Sequence, residues 1–286
     1  MSNINEQEAL EKLQEEELGI LIEFDEFCRK NNLTWFLDSG TALGAMRHNG
    51  FIPWDDDIDV GMLREDYDKF LSLTEKSGTL SPGFSVHTFH NTPNYAAMFA
   101  KVYKENTEFS TRETIDANCE QGIFIDVFPY DKLPRDKKKA KSISKRAHFW
   151  QMVSYLYHAP TISHPRPGLI GNVERVICAI AHSIIKLAFR REAIASKYEK
   201  TISQGDDSGS FIAYAYPVMP GFKKGILLPT KQYLFENGKF PGPNMMEEYL
   251  TINYGNWRKL PAPSDRKTHL PIRLRFSDGA TFENKH

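Results

Sequence analysis

The sequence predicts a protein of the α+β class, in which a mixed-sheet core flanked by helices is followed by a mostly helical C-terminal part. Two observations support this prediction. Segments with helical and with strand periodicity alternate up to about residue 133. Beyond that point, two long helical patterns follow each other, at 136–158 and 172–200. We therefore predict a core over residues 1–133, with an N-terminal helix, and a mostly helical part over 134–286 that packs on it.

The elements of the core follow from hydrophobic spacing and turn signals. Residues 5–31 predict an amphipathic helix, because their apolar side chains recur at helical spacing up to the pair Asn31-Asn32. Short β-branched and aromatic runs predict strands, and Asn49-Gly50 is a strong turn signal before the second of them. In chain order, we predict strands at 34–37, 57–62, 84–89, 98–103 and 122–128, with helices at 40–47 and 64–74.

The second part contains no candidate membrane span. A Pro/Gly-rich segment, 160–171, separates its two predicted helices, and residues 201–286 are rich in turns and aromatics. The most apolar stretch, 176–189, includes His182 and Lys186 and is shorter than the ~20 residues that cross a bilayer. We interpret the helix at 172–200 as core rather than as a helix lying on a membrane.

Composition argues against several function classes. Lys+Arg (36) and Asp+Glu (37) nearly balance, so we expect no nucleic-acid partner held by bulk charge. Cys28, Cys119 and Cys178 have neither disulfide nor zinc spacing and are expected to be reduced thiols. The N-terminal residues lack the basic and apolar regions of a secretory signal. These observations predict a cytoplasmic protein.

The most informative stretch is 53–61, with the sequence PWDDDIDVG. Strand alternation would place Asp57 and Asp59 on one face, with Ile58 and Val60 facing the core. Two carboxylates so close repel each other unless a cation lies between them, and carboxylate oxygens suit Mg²⁺. An EF-hand calcium loop would need a central Gly and a terminal Glu, which this stretch lacks. A solvated acidic loop is the alternative without a function.

A further carboxylate, Asp126, is the lone charge in an apolar strand. Burying it is costly without a metal ion or hydrogen-bond partners. We expect Asp126 to be a third metal ligand or a general base that faces the first pair. A salt-bridged core aspartate is the alternative.

A turn of small residues precedes the aspartates. Ser39, Gly40 and Thr41 lie between a strand and a helix, where backbone N–H groups can approach a phosphate. Arg47 and Lys101 are cations that could hold phosphate oxygens. An ordinary tight turn, with Arg47 as a helix C-terminal cap, is the alternative.

Together, these parts describe the metal-assisted transfer of a phosphoryl-type group. Such chemistry needs charge neutralisation and positioning more than covalent help. A dication would bridge the phosphates and the carboxylates, and a carboxylate would accept the proton of the acceptor hydroxyl. We expect Mg²⁺, although carboxylates alone do not distinguish it from Mn²⁺.

Three segments in order, 36–68, 122–134 and 249–269, resemble the LicD family. Members transfer phosphocholine from CDP-choline to cell-surface sugars and are related to the fukutin group of phosphosugar transferases. The resemblance extends over roughly residues 20–270 and implies a nucleotidyltransferase-type fold, with the catalytic core in 1–133.

By position, the resemblance implies that Asp57 and Asp59 form the metal-binding Asp-x-Asp and that Asp126 is the third carboxylate. Ser39-Gly40 takes the place of the family's Gly-Gly or Gly-Ser turn, so a serine stands where glycine is more usual. The implied donor is CDP-choline or a similar CDP-alcohol. The implied acceptor is a hydroxyl of a cell-surface glycan, such as a lipopolysaccharide or teichoic acid precursor.

A choline group would be held by aromatic faces around its ammonium. Trp54 and Tyr130 are our candidates for contacts with choline or the base, and ordinary packing is the alternative. Further aromatics are available: Trp35, Phe99, Tyr103 and Trp257. His269 could touch the substrate or make a structural hydrogen bond.

The cation-rich segment 132–146 continues into an apolar stripe of Ile143, Ala147, Trp150 and Val153. A basic amphipathic helix of this kind can lie on the inner, anionic face of a membrane. A solvated helix face is the interpretation that we favour.

Three other functions remain open at this point. The first is a nucleotidyltransferase that moves NMP from an NTP, and the second is an Asp-x-Asp glycosyltransferase that uses a nucleotide sugar. The third is a binding or scaffold protein at a membrane surface.

Overall fold

The computed structural model describes residues 4–161, 169–215 and 219–284, and confirms the α+β class. The helices are α1 (Glu6–Lys30), α2 (Ser39–His48), α3 (Arg64–Ser77), α4 (Arg112–Ala117), α5 (Lys137–His158), α6 (Leu169–Ala188), α7 (Arg191–Ile202), α8 (Lys224–Leu227) and α9 (Met246–Tyr254). The strands are β1 (Phe36–Leu37), β2 (Asp59–Leu63), β3 (Phe84–His87), β4 (Ala100–Lys104), β5 (Glu108–Ser110), β6 (Phe124–Lys132), β7 (Ser210–Ile212), β8 (Phe222–Lys223), β9 (Lys231–Phe235), β10 (Gly238–Gly242), β11 (Arg273–Arg275) and β12 (Thr281–Glu283).

A mixed sheet positions the candidate site. Its central order is β1-β2-β6-β4-β3, and β7 extends it by pairing with the end of β6. Strands β2 and β6 are parallel, whereas the other pairs of this sheet are antiparallel. Val60, Val102 and Val127 in the three central strands are fully buried. One face of the sheet is therefore buried. This burial fixes the strand register and thereby the positions of the polar side chains that alternate with these valines on the other face.

Helix α1 covers the sheet with one face. Asn5 caps its start by accepting a hydrogen bond from the Glu8 amide at 3.0 Å. Its buried side chains recur at helical spacing, and the helix packs against β4 and β6. Three acidic residues, Glu16, Glu17 and Asp25, lie within this buried face. The helix therefore carries carboxylates to the inside of the protein as well as apolar contacts.

The single helix predicted at 172–200 is wrong, because the chain forms two helices there. Arg190 is extended, with φ −92° and ψ 150°, and separates α6 from α7. Tyr198 and Ile202 of α7 are buried against α5, whereas none of the described hydrophobic side chains of α6 belongs to the buried core. The core interpretation therefore holds for α7 but not for α6. A change of direction after α6 is what allows α7 to pack on α5.

The part beyond residue 133 also contributes strands that hydrophobic spacing did not reveal. Strand β7 pairs with β6, and β11 pairs with β5 of the core. These strands are short, and they pair with partners far away in the chain, so their own sequence carries little signal. The boundary at residue 133 stays a prediction. The Pro/Gly-rich segment 160–171 lies in part outside the described residues.

Two smaller expectations concern thiols and membrane spans. Cys28, Cys119 and Cys178 are all free thiols, as their spacing predicts. None of the described helices combines the length and the apolar content that crossing a bilayer requires.

Candidate active site

Three neighbouring strands bring Asp59, Lys101 and Asp126 to one level of the sheet. Asp126 on β6 lies opposite Asp59 on β2 and opposite Lys101 on β4. Directly paired residues project from the same face of a sheet, so the three side chains lie side by side. Lys101 Nζ donates to Asp126 Oδ1 at 2.5 Å. Asp126 is therefore ion-paired, as the alternative of a salt-bridged core aspartate requires. It also lies beside the pair Asp57 and Asp59.

Asp57 joins this row from the segment before β2, because the strand begins at Asp59 rather than at residue 57. Ile58 between the two aspartates is fully buried, and its carbonyl accepts from the Asp126 amide at 2.8 Å. The alternation that predicts Asp57 and Asp59 on one side is thus present. All three aspartates line a cavity of about 300 Å³, together with Phe99, Phe128, His148, Gln151, Met152, Tyr155 and Ala215.

The electrostatics of the cavity favour bound cations. Burial raises the pKa of Asp59 well above its usual range, and the charges of Asp57 and Asp126 raise it further. The pKa of Asp57 is raised in the same way, first by burial and then by neighbouring carboxylates. Burial also raises the pKa of Asp126, although Lys101 opposes this shift. When ionised, the three carboxylates carry more negative charge than Lys101 compensates, and a bound metal ion would favour this ionised form.

The donor set suits a hard cation, since it consists of carboxylate oxygens. Within the described ranges, no three His, Cys, Asp or Glu side chains already stand in an arrangement that could hold a metal ion. Asp126 is engaged by Lys101, so Asp57 and Asp59 are the residues that fit a metal ion first. Asp126 would join them through Oδ2, the carboxylate oxygen that does not accept from Lys101.

Glu17 is a buried acid beneath this cluster that the sequence interpretation missed. It lies on the inner face of α1 and is fully buried, and neither of its carboxyl oxygens has a hydrogen-bond partner. Burial raises its pKa well above the usual range, and the charges of Asp57, Asp56 and Asp55 act in the same direction. A signal was available, because Glu17 occupies an apolar-face position of the predicted helix.

The turn of small residues, 39–41, forms part of the site, but not all of its backbone amides are free to contact a ligand. The Ser39 amide donates to Asp38 Oδ1 at 2.7 Å and to the Tyr249 hydroxyl at 3.0 Å, so it is used within the protein. Thr41 Oγ1 accepts from the Asp59 amide at 2.8 Å and so ties the turn to β2. The amides of Gly40 and Thr41 precede the first intrahelical bond of α2, from Ala42 to Asp38. These two amides are the candidates for phosphate contact.

Gly40 also allows a close approach between the turn and the acidic segment. A Cβ atom at position 40 would lie 2.8 Å from Asp55 Oδ2, closer than ordinary van der Waals contact. Burial raises the pKa of Asp55 to about 7, helped by Asp56 and opposed by Arg47. Gly40 therefore permits an ionisable carboxyl group beside the helix start.

Asp38 is the anchor of the turn and was not among the predicted site residues. It is fully buried, caps α2, and accepts from the Tyr130 hydroxyl at 2.9 and 3.0 Å. The Tyr249 hydroxyl donates to it as well. Tyr130 is itself fully buried, so the structure gives it a positioning role and does not place it among the cavity-lining aromatics. The N-cap position before Ser39 was the available sequence signal.

Arg47 and Trp54 lie outside the lining of the acidic cavity. Arg47 Nη1 donates to the Trp257 carbonyl at 3.3 Å, and the charge of Asp55 opposes the lowering of the pKa of Arg47 by burial. Trp54 is half-buried, and the guanidinium of Arg266 lies 5.1 Å from its ring centroid. His269 acts on Asp56, whose pKa burial raises and His269 lowers. Arg47 and His269 thus act on Asp55 and Asp56, the two aspartates of the segment 55–59 that do not line the acidic cavity.

A second cavity, of about 640 Å³, adjoins the acidic one. Met152 and Tyr155 line both cavities, and Lys101 lines the second while it binds Asp126 of the first. Aromatic side chains contribute much of the wall: Tyr95, Phe109, Phe124 and Tyr155. Together, the two cavities have the size and the apolar lining typical of small-molecule sites.

A family match covers the part of the chain that carries these residues. Residues 32–165 match a family described as "LicD/FKTN/FKRP, nucleotidyltransferase domain". This range contains Ser39, Asp57, Asp59, Lys101 and Asp126. The match therefore includes the row of charged side chains and the turn beside it.

Similar proteins include one from Haemophilus and two from Rickettsia. Lipopolysaccharide cholinephosphotransferase LicD of Haemophilus influenzae is 27% identical over 266 residues, which cover 88% of this chain and 92% of that protein. An uncharacterised protein of Rickettsia typhi is 43% identical over 63 residues, which cover 22% of this chain and 19% of that protein. Another, from Rickettsia prowazekii, is 54% identical over 41 residues, 14% of this chain and 15% of that protein. Residues 32–165 are therefore a domain of the LicD type, and the similarity to the Haemophilus protein extends along most of both chains.

Proposed function

We propose that the protein is a transferase that moves a phosphocholine-type group from a CDP-alcohol to a hydroxyl of a lipopolysaccharide or a related cell-surface glycan precursor. Phosphocholine transfer to lipopolysaccharide is supported by the similarity to the Haemophilus enzyme over most of both chains. The observation that carries the proposal is the row of Asp59, Asp126 and Lys101 on three paired strands, beside Asp57 in one cavity.

In the proposed reaction, an acceptor oxygen attacks the phosphorus of the phosphocholine group. A new P–O bond forms to the acceptor, the P–O bond to the CMP oxygen breaks, and CMP leaves with the bonding electrons. The proton of the acceptor hydroxyl passes to a carboxylate, for which Asp126 is our candidate. Its raised pKa makes it a stronger base than an exposed aspartate.

The roles of the other residues follow from their positions. Asp57 and Asp59 would hold Mg²⁺, or Mn²⁺, which when bound would neutralise phosphate charge and polarise the phosphoryl oxygens. Lys101 orients Asp126 and contributes positive charge at the junction of the two cavities. The amides of Gly40 and Thr41 offer further donors at the helix start.

The choline group has candidate contacts that differ from Trp54 and Tyr130. Phe99 and Phe128 line the acidic cavity, and their ring centroids are 4.5 Å apart. Tyr155 lies at the junction with the larger cavity. Aromatic faces of this kind attract a quaternary ammonium. We propose that these rings receive the headgroup, while Trp54 stays a weaker candidate.

The test is product analysis with CDP-choline, CDP-ethanolamine, CDP-glycerol, CTP and UDP-glucose, each with and without Mg²⁺. We expect Mg²⁺-dependent release of CMP from a CDP-alcohol in the presence of a glycan acceptor. Thermal shifts with the same ligands report binding without an acceptor, because a ligand of the folded state raises the melting temperature. Absence of both binding and turnover with every CDP-alcohol would contradict the proposal.

The second candidate is a nucleotidyltransferase, favoured by the description of the matching family as a nucleotidyltransferase domain. It would use the same carboxylates but would release pyrophosphate from CTP or another NTP. Release of pyrophosphate from an NTP, with no release of CMP from a CDP-alcohol, would favour this candidate.

A further inference from the structure

Helix α6 presents an aliphatic face to solvent. Ile170, Val173, Ile177, Ile180 and Ile184 are spaced three or four residues apart, and each is between 56 and 59% exposed. This spacing places them on one side of the helix. Leu187 continues the row at 90% exposure. A continuous exposed face of this kind marks an interaction surface rather than scattered surface residues.

The opposite side of α6 is the one that contacts the protein. Gly171 is buried, Cys178 is half-buried, and His182 Nδ1 lies 2.7 Å from the Leu156 carbonyl of α5. Helix α6 packs on α5 through this side. The aliphatic face therefore points away from the protein. An ordinary core helix turns its apolar side inwards, whereas α6 packs through its more polar side.

Positive charge lies on the polar side of α6, where helical spacing places Arg175 and Lys186 away from the aliphatic residues. Arg175 and Lys186 lie on α6, Arg190 follows it, and all three are exposed. In the sequence of α6, Glu174 is the only acidic residue. The neighbouring helix α5 adds exposed cations in its first half: Lys137, Lys138, Lys139, Lys141 and Lys145. An aliphatic face with cations rather than acids on the polar side of the helix is the pattern of a helix that lies on anionic headgroups.

Helices α5 and α6 also contribute to the walls of the cavities at the candidate active site. Leu156 of α5 and Cys178 of α6 line the larger cavity, and Met152 connects that cavity to the acidic one. Exposed apolar side chains also continue along α5, with Phe149 at 51% and Met152 at 46% exposure. A surface in contact with α6 would thus lie close to the cavities.

We propose that α6 is an interfacial helix that docks the protein on an anionic phospholipid bilayer, with its aliphatic face in the headgroup and upper acyl region. The apolar stripe predicted on α5 does not serve this purpose, since Ile143 and Ala147 are fully buried. The docking depends on α6 and on nearby cations, and it goes beyond the transfer reaction because it requires neither donor nor acceptor.

The test is flotation of the full chain with vesicles, in the absence of nucleotide. We expect binding to vesicles that contain phosphatidylglycerol and much weaker binding to pure phosphatidylcholine. The variant I177Q/I184Q keeps good helix formers and removes two central aliphatic side chains. We expect its partition coefficient to fall about tenfold or more. Raised salt should weaken binding of the wild-type protein, because the cations contribute.

The matched control is I22Q/I252Q, which replaces two exposed isoleucines on α1 and α9. We expect it to bind vesicles as the wild-type protein does. Equal flotation of both double variants, or no flotation of the wild-type protein, would overturn the proposal. So would a wild-type dimer in solution that I177Q/I184Q converts to a monomer, since a second copy would then be the occupant. Circular dichroism of both variants checks that the fold is retained, and none of these outcomes depends on the transfer reaction.

Discussion

Asp59 and Asp126 lie directly opposite each other on the parallel strands β2 and β6. Their backbones are also linked at this point, since the Asp126 amide donates to the carbonyl of Ile58, the residue before Asp59. Two carboxylates in this register repel each other, and the sheet prevents them from moving apart. A bound cation would relieve this repulsion, so the pairing of the two strands favours cation binding.

Asp59→Asn should abolish turnover while it preserves the fold. The amide side chain has nearly the same shape but removes one negative charge from the metal-binding pair. We expect CMP release to fall by a factor of about 10²–10³ or more. The melting temperature without metal should stay the same or rise, because a repelling charge is lost. Asp68→Asn, which changes an exposed aspartate, is the control, and full activity of Asp59→Asn would contradict the assigned role.

Lys101→Met should destabilise the protein as well as inactivate it. The substitution leaves Asp126 buried without its partner, which typically costs about 3–5 kcal/mol of unfolding free energy. The double variant K101M/D126N removes both charges and should recover much of that stability without recovering activity. Chemical denaturation of the single and double variants measures the coupling between the two residues. Additive losses would show that the ion pair does not stabilise the sheet.

Tyr249→Phe and Tyr130→Phe should each loosen the turn through Asp38. Either change removes a hydroxyl donor to a fully buried carboxylate, at a cost of about 1–3 kcal/mol in unfolding free energy. We also expect a raised KM for the donor, because Asp38 caps the helix that carries Gly40 and Thr41. Tyr157→Phe is the control for loss of a tyrosine hydroxyl. Wild-type stability and KM in both variants would exclude this role for Asp38.

Glu17→Gln should stabilise the protein, and more so at high pH. The pKa of Glu17 is raised in the folded state, so its stabilising contribution is complete below the unfolded pKa and is lost as pH rises through the folded pKa. A glutamine does not titrate, so the variant escapes a loss of at most about 1.4 kcal/mol per pH unit in this range.

Thermal unfolding in EDTA at pH 5 and pH 8 measures this effect. The advantage of Glu17→Gln over the wild-type protein should be larger at pH 8. Glu26→Gln removes an exposed carboxylate from the same helix and should not show such a difference. An equal advantage at both pH values would mean that Glu17 is not held neutral by burial.

The sequence by itself determined the class of the fold, its main elements and the identity of the acidic residues. Helical spacing predicted α1 and α5 to within a residue or two, because an amphipathic face needs only the local period of the chain. Strand alternation placed Asp57 and Asp59 beside each other for the same reason. Asp126 was identified as the lone charge of an apolar strand, and the resemblance to the LicD family implied that it is the third carboxylate.

Only the tertiary structure decided which distant residues meet. Lys101 lies opposite Asp126 because β4 pairs with β6. Tyr130 and Tyr249 both donate to Asp38 because segments far apart in the chain pack together. The outward aliphatic face of α6 is a further case. Its spacing fits a core helix equally well, because periodicity shows that a helix has an apolar side but not what lies against that side.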